Sequence, residues 1–325
     1  MYNELVSCIR IALKNNVTDI HFNLDHNEKL TIDMRVDGQI KRLKNHHLDA
    51  SFFRYLLFRA NLDVSKTLVP QTGQFEIEVD HIKLSLRVAL LSSLSMSSAV
   101  LRILNNHGVL SIDSLTNNQA QINWLRKITK NRNGLYLFSG PTGSGKTTTL
   151  YTLLNAEKKK KIFTLEDPIE VYFDNFIQIQ VNEKQNMSYQ DGIKQLMRHD
   201  PDIIMIGEIR DNVAAEMAVR TSLTGHLVVS SIHSYSCIGA IERMLDLGVN
   251  KHQLFDVLHG VSCQRLYTTT SHTKLGIYEI MDKKEVDYYH KHETKSDSFI
   301  SLQETIEANI KAGILTEEET AQDRN

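Results

Sequence analysis

Residues 140–147 read GPTGSGKT, and their neighbours on either side decide how the chain folds. Gly140 and Gly145 bracket four residues and are followed by Lys146 and Thr147, the spacing G-x-x-x-x-G-K-[ST]. LYLF at 135–138 precedes the loop as a buried strand would, and TTLYTLLN after it permits a helix. A strand, a glycine-rich turn and a helix start point the backbone N–H groups of residues 143–147 at phosphate oxygens, with the positive helix end behind them. Gly140, Pro141, Thr142, Gly143, Ser144, Gly145, Lys146, Thr147 and Thr148 are therefore the candidate nucleotide-binding residues. Lys146 would reach the β- and γ-phosphates as a point charge, and the Thr147 hydroxyl would ligate Mg²⁺. ATP and Mg²⁺ are thus the expected cofactors. The bland alternative, a flexible Gly-Ser turn with a surface lysine, does not account for the strand before and the helix after.

The alternation continues downstream. IFTL at 162–165, IQIQV at 177–181, IIMI at 203–206 and LVVSS at 227–231 read as strands, with helical patterns from about 146, near 189–199 and near 213–223. That order predicts an α/β region with a largely parallel, helix-covered sheet. The first hundred residues differ: a helix near 2–15, extended runs TDIHF and LTIDMRV, a helix around 50–60, then FEIEVD and IKLSLRVALL, an α+β module. NNHGVLSIDSLTNN at 105–118 is polar and turn-forming and reads as a linker. The expected domains are 1–104, and 119–325 with TEEETAQDRN at its end expected to fray.

At the tips of the predicted parallel strands stand the acids. IIMI runs directly into Gly207-Glu208, so Glu208 is the candidate carboxylate for the metal shell, partly through water. Asp202, at the other end of that strand, reads as a cap or turn residue. Glu166-Asp167-Pro168-Ile169-Glu170 follows IFTL; Pro168 stops the strand, and one of these glutamates could orient the attacking water. His226 and His233 flank the last strand, roughly 20 Å apart if it is extended. They cannot serve one atom; His233 is the one that could reach a γ-phosphate, and His226 reads as structural or as a subunit contact.

Bulk properties set limits. The chain has 325 residues, 41% of them apolar, enough for two moderate cores. With 37 basic and 39 acidic residues, the total charge suggests neither a nucleic-acid surface nor an acidic substrate. Lys158-Lys159-Lys160-Lys161 is the best local basic run, and it reads as a solvated helix end. Cys8, Cys237 and Cys263 form no C-x-x-C pair and read as packed thiols. No run approaches the roughly 18 apolar residues that span a bilayer. The chain is expected to be cytoplasmic or to dock on a membrane from that side.

Taken together, GPTGSGKT, LEDPIE at 165–170, DPDIIMIGEIRD at 200–211 and TGHLVVSSIHS at 224–234 resemble, in order and spacing, the secretion ATPases of type II secretion, type IV pili and DNA-uptake machines. TDIHF at 18–22, MRVDGQI at 34–40, QRL at 264–266 and GIYEI at 276–280 extend the resemblance over nearly the whole chain. It implies a RecA-like P-loop core preceded by a smaller, PAS-like α+β domain. It also implies that Glu208 is the Walker B glutamate and Glu170 the catalytic base with Glu166 beside it, and that Arg87 and Arg102 act near phosphate. LLSSLSMSSAV stands between those arginines where the family usually has Pro and Gly-Glu. The partners it implies are further copies of the chain in a hexameric ring and a polytopic inner-membrane platform protein, with no direct nucleic acid. The chain is short, and it lacks the cysteines of a zinc loop and any AIRNLIRE-like retraction motif, features that resemble the competence branch, which powers a DNA-uptake pseudopilus. A monomeric phosphotransferase with residues 1–104 as an acceptor cap, a nucleic-acid translocase and a scaffold that holds ATP without turnover are the competing classes.

Overall fold

The computed structural model describes every residue except 16, 18, 37–38, 44–47, 67, 94, 105–109, 182–187 and 324–325. Two compact units result: Met1–Gly108 with Glu170–Tyr172, and Val109–Ile169 with Phe173–Asn325.

The first unit runs α1 (Tyr2–Lys14), β1 (Asp19–Asp25), β2 (Leu30–Val36), β3 (Gln39–Arg42), α2 (Ala50–Arg59), β4 (Gln71–Val79), β5 (Ile82–Ser92) and β6 (Met96–Ile103). Its strands form one antiparallel sheet in the order β3-β2-β1-β6-β5-β4. Leu5, Cys8, Ile9 and Ala12 recur at helical spacing and are buried, so α1 lays one stripe on the core while its other face stays wet. Asp49 caps α2 by accepting from Ser51 N and Phe52 N. Phe22, Phe52, Leu86 and Leu101 fill the interior between helices and sheet. The α+β expectation is met; of the segments quoted for it, Thr18 and Asp37–Gly38 lie outside the described residues.

In the second unit a 3₁₀ turn (Ile112–Ser114) leads to α3 (Gln119–Ile128), β7 (Gly134–Ser139), α4 (Lys146–Asn155), β8 (Ile162–Glu166) and β9 (Phe176–Gln180). There follow α5 (Tyr189–Leu196), β10 (Ile203–Ile209), α6 (Asn212–Leu223), β11 (Leu227–Ile232), α7 (Cys237–Asp246), α8 (Lys251–Val257), β12 (Leu258–Thr268), β13 (Lys274–Asp282), α9 (Lys283–His292), α10 (Leu302–Lys311) and α11 (Glu317–Thr320). The sheet order is β13-β12-β7-β11-β10-β8-β9. Every neighbouring pair is parallel except the β12–β13 hairpin. Burial on both faces explains the apolar runs LYLF of β7 and LVV of β11, and the two serines that follow in β11 are buried as well. Leu135, Leu137, Ile204, Ile206 and Val228 face the layer holding α5 to α8. Tyr136 and Phe138, one residue out of phase, meet Trp124 of α3.

Two expectations need correction. Of the predicted linker, residues 105–109 lie outside the described residues, and 110–118 is part of the second unit. Leu115 and Thr116 are buried there, Gly276 N donates to Leu115 O at 2.9 Å, and Asn118 caps α3. Several of its polar side chains are bonded to the fold although exposed, Asp113 to Arg126 and Asn117 to Asn309 among them. Nor is the tail frayed as far as Asp323, Arg324 and Asn325 lying outside the described residues: α11 and the 3₁₀ turn Ala321–Asp323 dock on β12, with Thr320 fully buried. Asp323 accepts from Arg265 Nε at 2.7 Å and from Tyr267 Oη at 2.8 Å, so a buried cation holds the segment down. All three cysteines are free and buried, as expected.

Candidate nucleotide site

β7 ends at Ser139, and the chain turns through the glycine-rich loop into α4. A Cβ on Gly140 would lie 2.5 Å from Ser144 Oγ and 2.6 Å from Gln264 O, so only glycine lets the loop close. Gly145, the N-cap of α4, has φ +88° and supplies no side-chain cap, which leaves first-turn N–H groups for an anion. Lys146 Nζ donates to Gly140 O at 2.8 Å and Pro141 O at 3.0 Å, holding the ammonium across the loop. Thr147 is half-buried and Thr148 exposed, and among the described residues the Thr147 hydroxyl has no protein partner. The loop is a phosphate cradle in shape, and Thr147 fits a hard cation in its donor chemistry.

Strand register brings the other groups to the same edge. Ser139 on β7 lies level with Ile232 on β11, and Ile232 with Ile209 on β10. Between Ile206 and Glu208 the register slips: Ile206 pairs with Ser230 and Glu208 with Ser231, so two steps on β10 match one on β11. Simple alternation would put Glu208 on the face of Ile204 and Ile206. This bulge at Gly207 turns it to the other face, which α4 covers. Ser230 Oγ donates to Ile206 O and Ser231 Oγ to Gly207 O, both at 2.7 Å, which satisfies the carbonyls that the bulge exposes.

Glu208, with its side chain 20% exposed, lies 2.9 Å from His233 Nε2 through Oε1 and 2.8 Å from Arg210 Nη2 through Oε2. Arg210 also reaches Asp167 at 3.7 Å, and its hydrogen bond to Glu208 holds the guanidinium above its ordinary range. His233, expected near the γ-phosphate, thus orients the carboxylate. Both oxygens are engaged, so a hydrated cation would meet Glu208 through water or by exchange with one partner. A cleft of about 380 Å³ opens beside Gly140, Pro141, Thr142 and His233, with Glu242 and Arg243 of α7 opposite.

Glu166 behaves differently. It is 3% exposed and accepts from Tyr151 Oη, from Thr164 Oγ1 at 2.5 Å and from Gln178 Nε2 at 3.2 Å. Those bonds join β8 to α4 and β9. Glu170, by contrast, groups with the first unit. So do Arg87 and Arg102, which β5 and β6 place directly opposite each other. Of the segment LLSSLSMSSAV, Leu94 lies outside the described residues; around it Ser93 N donates to Met96 O at 2.8 Å as β5 pairs with β6. Two like charges face to face destabilise a sheet unless countered, and Asp19 on β1 accepts from Arg102 Nε at 2.7 Å. Asp202 accepts from Lys161 N at 2.7 Å, a turn role as expected. His226 meets Thr224 Oγ1 at 3.0 Å at the opposite edge of the sheet. Lys158 and Lys160 cap local oxygens and Lys161 meets Asp200, a solvated helix end.

Arg210 and Gln264 were not singled out for the site from sequence. Arg210 sits two residues beyond Glu208, the spacing that returns a strand residue to the same face, and that was its one available signal. Gln264 Nε2 donates to Ser144 O at 2.6 Å across 120 residues, a contact no local pattern announces.

A parallel sheet with the phosphate loop after β7, β11 inserted beside it and the acidic strand β10 beyond defines a RecA-like P-loop protein. The chain belongs to the type II/IV secretion system protein family, whose model matches residues 3–314. It is 37% identical over 268 residues to the competence protein ComGA of Bacillus subtilis, covering 82% of this chain and 72% of that one. It is also 37% identical over 260 residues to type II secretion system protein E of Pseudomonas aeruginosa, covering 78% of this chain and 52% of the relative, about half its length. Among solved structures, the pilus retraction motor PilT with bound ADP superposes with a TM-score of 0.74 at 24% identity, covering 98% of this chain and 96% of that one. The Legionella pneumophila ATPase DotB does so at 0.74 and 18% identity, covering 97% and 93%. At those identities the structures speak for the fold.

Proposed function

We propose that the protein is an ATP-hydrolysing motor of a pilus-like or secretion machine, working from the cytoplasmic face of the membrane and driving assembly of a competence pseudopilus for DNA uptake. The observation that carries this is the juxtaposition of the GPTGSGKT cradle with Glu208, turned by the bulge at Gly207 onto the face covered by the helix the loop opens. The match to a competence protein over 82% of the chain favours that branch over the secretion and retraction forms.

In this reading the N–H groups of residues 143–147 and the Lys146 ammonium hold the β- and γ-phosphates. Bound Mg²⁺, held by Thr147 and through water by Glu208, would neutralise charge between them. Glu170 takes a proton from the attacking water as its oxygen bonds the γ-phosphorus and the β,γ-bridging oxygen leaves. Arg87 and Arg102, side by side, supply positive charge to the transferring phosphoryl group from another part of the assembly. His233 and Arg210 hold the Glu208 carboxylate in place. Glu166 serves as the neighbour that fixes β8, from which Glu170 follows. The active assembly is a homo-oligomer, a hexameric ring, which acts on a polytopic inner-membrane platform protein without touching nucleic acid itself. No helix among the described residues is long and apolar enough to cross a membrane, which fits docking through such a partner.

The test is Mg²⁺-dependent ATP hydrolysis per subunit across protein concentration, with particle mass recorded on the same samples. Specific activity should rise as rings form. Full activity in a monomer, or transfer of phosphate to an added acceptor, would favour the phosphotransferase class and overturn the motor reading.

A further inference from the structure

Arg265 on β12 is 6% exposed, and a guanidinium in such a place needs a partner. Asp323 provides it at 2.7 Å, while Glu319 accepts from Thr268 N at 2.8 Å. On its other side Arg265 Nη1 donates to Gln264 O at 3.2 Å, and its guanidinium lies 5.8 Å from the ring centre of Tyr235 on the wall of the cleft. Gln264, 1% exposed, grips both ends of the phosphate loop. Its amide holds Ser144 O at 2.6 Å, and its carbonyl closes against Gly140 where no Cβ fits. A continuous run of hydrogen bonds therefore joins the docked tail to the loop. Among the described residues, Gln264 Oε1 and Ser144 Oγ are buried without partners on either side of that grip. Two orphaned groups at one joint mark it as a place where a second arrangement costs little.

We propose that Gln264 and Arg265 are positioning residues for the phosphate loop, and that the segment Glu317–Asp323 sets the loop's geometry through them. Releasing Asp323 leaves a buried cation whose remaining bonds run to Gln264 O and to the buried Cys263 Sγ, so the disturbance falls on the stretch of β12 that holds the loop and not into solvent. The proposal rests on the loop being the ATP site, but its structural half does not need nucleotide.

The experiment compares the full-length wild type with Asp323→Asn and Arg265→Lys by amide hydrogen exchange and by ATP kinetics. In Asp323→Asn, exchange across residues 140–147 should accelerate about 5-fold or more, the lower end of ordinary site-to-site coupling. Peptides of the first unit should not change. KM for ATP should rise by a similar factor while kcat moves less, and Arg265→Lys, which keeps the charge but loses the fork, should fall between the two. Faster exchange confined to residues 316–323, with KM unchanged, overturns the proposal. Should Asp323→Asn loosen every peptide of the second unit, Arg265→Lys decides by the same criterion. If wild type and Lys146→Ala bind a fluorescent ATP analogue equally, the ATP reading falls, while the exchange data still judge the link between tail and loop.

Discussion

The C-terminal ends of β8 and β10 carry one glutamate each, on the same face of the same sheet. Glu166 is sealed beneath α4, with a tyrosine, a threonine and a glutamine donating to it. Glu208 stands at the mouth of the cradle with a histidine and an arginine on its oxygens. The neutral donors around Glu166 come from α4, β8 and β9; they satisfy a charge and tie three elements together. Charged, partly exposed partners around Glu208 can exchange with a hydrated cation. What separates the two is not residue type or strand position but one inserted residue, Gly207, and the company each carboxylate keeps.

Several changes would sharpen or break this contrast. Removing the ammonium from the cradle by Lys146→Ala should cut kcat/KM by about 10²–10³-fold, the scale of one preorganised electrostatic group. Near-normal turnover would mean that the loop is not the phosphate site. Glu166→Ala should act on folding: breaking a buried, fully bonded carboxylate costs about 3 kcal/mol. Scanning calorimetry of the second unit should then show a melting point lower by about 6–12 °C, since ~1 kcal/mol moves a domain of this size by roughly 2–4 °C. A drop in kcat without loss of stability would place Glu166 among the reacting groups. His233→Ala should lower kcat several-fold with little change in melting, because a half-exposed pair adds little to stability. At the far edge, His226→Ala and Asp202→Asn should each leave ATP turnover unchanged and alter stability by about 1 kcal/mol or less.

Much of this contrast could be read in the sequence, and the reasons for the gaps are physical. The strand, loop and helix around GPTGSGKT were legible because each leaves a local mark: an apolar run, spaced glycines, a helix-permitting stretch. So were the central parallel strands β7, β8, β10 and β11, whose burial on both faces gives each an apolar run. Glu208 was found by position, yet its facing was not, because a bulge is a register shift between two strands and Gly207 alone does not declare it. The side-by-side arginines came as a pair from the resemblance; their direct opposition is a matter of the β5–β6 register, which no local pattern declares. Polarity misled twice. Residues 110–118 and the tail look like solvent-exposed chain, but Asn118 bonds a helix start, Thr116 a partner 5 residues away and Asp323 partners 56 and 58 residues away. Gln264 and Arg210 belong to the same class of long-range or two-residue effects that composition does not reveal.

The most direct test of the contrast is Glu208→Gln, measured for binding of a fluorescent ATP analogue and for Mg²⁺-dependent hydrolysis in the assembled ring. The account predicts analogue binding within a few-fold of wild type and turnover lower by about 100-fold or more. Turnover close to wild type would show that the carboxylate at the end of β10 is, like its neighbour on β8, part of the framework and not of the chemistry.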